Sequence, residues 1–143
     1  MVVKFQRKMT IAELAKRSSN FVINLDAHIE TAVNNSQDII LETNKRQLSE
    51  SKLSTGKTIT PPYSKGYAAF KGFKNPNLLL TGDFQDAMFL SVKPKEYLIG
   101  STDWKSLLLI DKYSDFIFGI FYKEIVMAKT TSEIEKLYIK NVL

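Results

Sequence analysis

The sequence predicts an α+β fold: a long N-terminal helix packed on a small antiparallel sheet, with short helices attached and a helix at the C-terminus. Three observations carry this. Residues 10–50 contain neither Gly nor Pro, and their apolar side chains recur at helical spacing. Residues 88–99 change to alternation around a turn at Lys93-Pro94-Lys95-Glu96, the pattern of a half-buried hairpin. From Thr130 onward the apolar residues Ile134, Leu137, Tyr138 and Val142 return to the helical period.

Thr10 and Glu13 form a Thr-x-x-Glu capping box, in which each side chain satisfies an amide donor of the first turn. The stripe that follows uses Leu14, Phe21 or Val22, Leu25, Ile29, Ala32 or Val33, and Ile39 or Ile40. An unbroken helix of ~40 residues would be ~60 Å long. A compact domain of this size has a radius of gyration of only ~14–15 Å. The helix therefore breaks or projects. Ser18-Ser19-Asn20 and Asn34-Asn35-Ser36 are the weak points, because their side chains compete for backbone hydrogen bonds. Taking the first as the break divides one domain into a basic arm (1–17), a long helix (18–50) and a sheet with short helices (56–143).

Gly56 to Thr60 reads as a short extended piece closed by Pro61 and Pro62, neither of which donates to a ladder. Ala68, Ala69 and Phe70 suggest one or two helical turns before a loop at 72–77. Residues 75–102 are the organising stretch. Leu78, Leu79 and Leu80 lead into a turn at Thr81-Gly82-Asp83, where Gly82 tolerates positive φ and Thr81 or Asp83 caps a short helix. Asp83 and Asp86 fall in that helix's first turn, where negative charge suits the helix dipole. Met88, Leu90 and Val92 then alternate with Phe89, Ser91 and Lys93, and the chain returns through Tyr97, Leu98 and Ile99.

Asp103 is read as the cap of a further short helix that buries Trp104, Leu107, Leu108 and Ile110. Residues 116–121, Phe-Ile-Phe-Gly-Ile-Phe, are strongly β-prone and read as a central strand. Thr130 and Glu133 repeat the capping-box spacing and are read as the start of the last helix.

The 143 residues suffice for one core without disulfides or metals. There is no cysteine, which removes thiol nucleophiles and cysteine-ligated zinc and fits a reducing compartment or a particle that cannot rely on redox state. No apolar segment of signal-peptide length follows Lys4, Arg7 and Lys8, and the longest apolar run (116–122) is too short to span a bilayer. The net charge of +5 is uneven: residues 1–17 carry five Lys or Arg against one acid, and 57–95 carry six Lys against two acids. Such blocks suit DNA or an acidic protein surface, or simply stay solvated.

No constellation for catalysis emerges. Ser54-Thr55-Gly56-Lys57-Thr58 imitates a phosphate-binding loop, but Ser51 stands where the pattern needs its first glycine. Asp83 and Asp86 are spaced as an acid/base or metal pair would be, yet capping and the dipole explain them. Asp103 has the same capping explanation. His28, the only histidine, lies beside the apolar stripe without a nucleophile motif. No catalytic residue, metal or cofactor is predicted, and the enzyme reading is reduced to the Asp83/Asp86 pair. Tyr63, Tyr67, Phe70 and Phe73 interleave with Lys65, Lys71 and Lys74. That pattern suits either a single-strand nucleic-acid platform or aromatic anchors with outward lysines.

The turn and hairpin residues resemble tailed-phage proteins of the virion-morphogenesis, or tail-completion, group. The matching positions are Leu80, Thr81, Gly82, Asp83, Asp86, Ala87 and Met88, then Ile99, Gly100, Ser101, Thr102 and Asp103. Upstream, Gly56, Lys57, Pro62, Tyr63, Ser64 and Tyr67 fit the family's Gly-Lys…Pro-Tyr-Ser-x-x-Tyr pattern, and the likeness runs down to Phe118-Gly119. It covers roughly the second half of the chain. The family's His-x-x-Gly-like turn is replaced here by Asp111-Lys112-Tyr113-Ser114-Asp115.

The resemblance implies a structural virion protein: a subunit of a homo-oligomeric ring at the head–tail neck or tail-completion point, without catalysis. It implies portal, neck or tail proteins of the same virion as partners, no membrane, and residence in the virion and, during assembly, in the host cytoplasm. The candidate interaction residues are Lys4, Phe5, Arg7 and Lys8 of the arm, with Lys57, Tyr63, Lys65, Tyr67 and Lys71. The alternative from the two basic blocks is a small nucleic-acid-binding domain in contact with DNA.

Overall fold

The structure, a computed structural model, describes residues 8–79 and 82–143. It is an α+β fold, mostly helical: seven helices and one two-stranded antiparallel sheet among the described residues. The N-terminal helical run comes in three consecutive pieces, α1 (Ile11–Ile23), α2 (Leu25–Asn35) and α3 (Gln37–Ser49). The Thr10–Glu13 capping box is present in both directions, at 3.1 and 3.0 Å.

The predicted break at Ser18–Asn20 is not there. Those residues sit inside α1; the run is interrupted at Asn24 and at Ser36, the latter within the second weak point named from the sequence. At both positions the side chain donates to the carbonyl four residues back: Asn24 Nδ2 to Asn20 O at 2.9 Å, and Ser36 Oγ to Ala32 O at 2.7 Å. Such back-bonding competes with the helical ladder and bends it. The main helical run thus begins at 11, inside the stretch assigned to the arm.

After α3 the chain makes a tight excursion, pinned by an isolated bridge between Lys52 and Thr58. Helix α4 (Lys65–Lys71) is capped by Ser64 and closed by Gly72 in the left-handed region (φ 83°). Helix α5 (Asp83–Asp86) follows Gly82, also left-handed (φ 88°). The hairpin β1 (Met88–Lys93) and β2 (Glu96–Ser101) forms around the predicted turn, with Lys93 opposite Glu96 and Met88 opposite Ser101.

Helix α6 (Ser106–Tyr113) turns the opposite way from the sequence reading. Trp104, Leu107 and Leu108 are exposed, at 76, 78 and 60%. Ser106 and Tyr113 face inward, because the Ser106 hydroxyl donates to Asp103 O at 2.7 Å and to Ser101 O at 3.1 Å. Asp103 is not the cap predicted: Lys105 holds the N-cap position and no side chain caps α6, while Asp103 accepts from Lys105 N at 2.8 Å in the turn ahead of it.

The predicted central strand at 116–121 is a second correction. A 3₁₀ turn (Asp115–Ile117) replaces its start. The backbone of 117–122 is paired by two buried amides of α3 instead of by a neighbouring strand. Asn44 donates to Ile117 O (3.0 Å) and accepts from Gly119 N (2.9 Å). Gln47 donates to Gly119 O (2.9 Å) and accepts from Phe121 N (2.6 Å). Buried backbone groups need partners, and side chains supply them here.

Helix α7 (Lys123–Val142) runs for 20 residues and packs along α1, α2 and α3. It begins seven residues before the predicted capping box. Thr130 lies within it, donating to Val126 O at 2.8 Å, and Glu133 pairs with Lys129 (2.8 Å) and Lys136 (3.0 Å). The core joins Ile40 and Leu48 of α3 to Met88 and Ile99 of the hairpin, with Ile59, Phe84, Tyr113, Ile117 and Ile120. No helix among the described residues is long and apolar enough to cross a membrane.

Candidate interaction site

A cleft of about 500 Å³ opens between α4, the 78–84 stretch and α6. Ser64 starts α4 so that Tyr67 falls one turn after Tyr63, and the two rings meet edge to face at 4.7 Å. Lys71, at the helix end, donates to Leu79 O at 2.5 Å and lies 5.3 Å from the Phe73 ring. On the facing wall, Lys105 and Lys112 stand seven residues apart, two turns of one face of α6. Burial raises the Tyr63 phenol above its usual value of 10.0, opposed by a backbone hydrogen bond at Asn77. Three lysines against one carboxylate, Asp83, make the cleft basic.

Of the residues singled out from sequence, the fold gathers Tyr63, Tyr67, Lys71, Gly82 and Asp83 here. Lys57 and Lys65 are exposed and do not line it: Lys57 sits in the 52–58 turn and Lys65 at the outer start of α4. Asp86 is exposed in α5 and also lies outside the lining. Lys8 is exposed just ahead of α1, while Thr81, Lys4, Phe5 and Arg7 lie outside the described residues. Lys105, Leu109, Lys112 and Tyr113 were missed. The seven-residue spacing of Lys105 and Lys112 is the signal that could have found the two cations.

The chemistry suggested by isolated motifs does not assemble. Asp83 follows the left-handed Gly82 and has Lys105 Nζ 3.9 Å away, and no group of acids or His able to hold a metal occurs among the described residues. Gly56 of the phosphate-loop lookalike is left-handed (φ 83°), but a Cβ there would fall 2.5 Å from the Phe121 ring. Its loop returns to extended chain and not to the helix that phosphate binding needs. His28 stacks on Phe21 at 4.3 Å, and Tyr138 meets Phe21 edge on at 5.4 Å. It is a packing residue.

A second concavity, about 740 Å³, follows strand β2 on the other side of α6. Phe89, Leu98, Trp104, Leu107 and Phe116 make it apolar. Lys93 and Glu96 close a two-residue loop, so they form a hydrogen-bonded pair. By alternation, Tyr97, Ile99 and Ser101 direct their backbone groups away from β1. Ser101 O is taken by the Ser106 hydroxyl.

Comparison with known proteins gave no match to a protein-family model, to a curated protein or to a solved structure.

Proposed function

We propose that this chain is a structural subunit of a tailed-phage virion, acting at the head–tail neck or tail-completion point by assembly and without turnover. The observation that carries the reading is apolar surface left open on separate faces. Ile11, Val22 and Ile23 of α1 are 87, 66 and 76% exposed, and so, elsewhere, are Trp104 just ahead of α6 and Leu107 and Leu108 on it. Monomers rarely leave large contiguous apolar patches, whereas subunits awaiting neighbours do. The Thr81–Met88 and Ile99–Asp103 motifs supply the phage context, with a homo-oligomeric ring contacting portal, neck or tail proteins. The test is knockout of the gene followed by electron microscopy, with mass spectrometry of parental particles. Heads and tails should accumulate unjoined, and the protein should be present in whole particles. Normal particles without the protein would overturn the reading.

The Tyr63/Tyr67 pair facing Lys71, Lys105 and Lys112 favours a second reading, nucleic-acid binding. Rings stack on bases and lysines neutralise phosphates, so affinity would fall steeply with salt. Salt-dependent binding of a DNA oligonucleotide, lost on changing Lys105 and Lys112 to Ala, would support it.

A further inference from the structure

Helix α1 carries two apolar faces, and only one is used within the chain. Phe21 and Leu14 lie together on the wheel, and Phe21 packs against His28 and Tyr138. At 100° per residue, Ile11, Val22, Ala15, Ala12 and Ile23 fall within an adjoining arc of about 120°, which Ser19 shares. All five are exposed. Lys16 borders this arc and is exposed as well.

The groove along β2 has the complementary character. Trp104, Leu107 and Leu98 are exposed along it, and the charged side chains lining it are Asp103 and Asp115. Lys105 lies 3.9 Å from Asp103 and offsets it, while exposed Asp115 carries negative charge to the rim.

We propose that the groove between β2 and α6 receives helix α1 of a second copy of this chain, the apolar arc seated on Trp104 and Leu107 with Lys16 toward the acidic rim. The partner is a copy because a chain cannot bring its own α1 there without stripping Phe21 from its stack with His28 and Tyr138. Helix and groove are different surfaces, so the contact is head to tail and propagates around a ring. The inference rests on the assembly reading and names the contact that would carry it. One face of a 13-residue helix buries less than the ~800 Å² per partner of a stable pair, so isolated copies associate transiently.

The chain has no cysteine, so disulfide trapping reports such a transient contact without background. Full-length Val22→Cys and Leu107→Cys chains, both altered at exposed positions, are mixed in a glutathione redox buffer. Circular dichroism checks that each retains its fold. The expected product is a linked pair containing one copy of each, formed in the mixture and not by either chain alone. No mixed product, a Val22→Cys self-pair in its place, or equal pairing with a Met127→Cys chain would each overturn the interface. If the mixed pair fails to form while the protein is found in particles, the interface is wrong and the virion reading stands. If it forms in a chain that no particle contains, the reverse holds.

Discussion

Phe89 lies across Gly100, its cross-strand partner, so closely that a Cβ on Gly100 would stand 2.8 Å from the ring tip. The ring covers the glycine on the outer face of the hairpin, and the glycine makes room for the ring. The two residues are therefore coupled. In the parent, Gly100→Ala should displace Phe89 and lose a cross-strand contact, costing roughly 0.5–1 kcal/mol. In a Phe89→Ala background the same change should stabilise by roughly 0.4–1 kcal/mol, because it removes only unfolded-chain entropy. Urea melts of the four chains check the change of sign. Identical effects in both backgrounds would mean that the ring does not occupy the glycine's space.

The buried amides of α3 should be among the costliest side chains to remove. Gln47→Leu leaves Gly119 O and Phe121 N without their partner. At about 1–3 kcal/mol per unsatisfied buried group, a loss of roughly 2–6 kcal/mol is expected. Removing Glu42, which forms only an exposed 3.5 Å ion pair with Lys45 on the same helix, should cost no more than about 0.5 kcal/mol. Thermal unfolding of the two variants side by side makes the comparison.

Acid should weaken the middle of α7. Hydrogen bonds from Lys129 and Lys136 hold the Glu133 carboxyl well below its usual 4.5, at about 2. A carboxyl depressed on folding contributes stability above the unfolded value and loses it as pH falls through the folded one. The window is therefore about pH 4.5 down to 2. Glu133→Gln should be less stable than the parent at pH 7, and the gap should close toward pH 2. A gap that stays constant across that range would show that charge is not what Glu133 contributes.

Asp83 and Asp86 should matter to stability alone. The Asp83→Asn, Asp86→Asn double variant should lose at most about 1–2 kcal/mol, through the helix dipole and the exposed Lys105 pair. Calcium, magnesium or manganese should leave the melting temperature of the parent unchanged. A cation that raised it in the parent and not in the double variant would restore the metal reading.

Local signals in this sequence were legible where both partners lie within a few residues. Thr10 and Glu13 cap α1 through reciprocal bonds between residues three apart, which need nothing from elsewhere in the fold. The hairpin is legible for the same reason: Pro94 and the alternation act over a dozen residues. The Thr130–Glu133 pair shows the limit of such patterns, since an identical spacing inside a continuing helix finds other partners, Val126 O and two lysines. Residues 116–121 were misread because their partners, Asn44 and Gln47, lie more than 70 residues away and act through side chains. At helix α6 apolarity does not report burial: Leu107 and Leu108 face outward while Ile110 packs on the core. Of the candidate cleft, the α4 wall was visible as interleaved tyrosine and lysine. The α6 wall depended on a tertiary approach that no local pattern encodes.

The amides that replace strand pairing at 117–122 also act as a lock on a hazardous sequence. Phe-Ile-Phe-Gly-Ile-Phe is uncharged, aromatic and β-prone, the composition of segments that stack into intermolecular cross-β when freed. Asn44 and Gln47 occupy the hydrogen-bonding groups through which such stacking would nucleate. Any event that peels α3 from this segment, by heat or during synthesis before α3 has docked, therefore releases an aggregation nucleus. Two side chains that the fold buries completely thereby guard a segment whose release would favour aggregation.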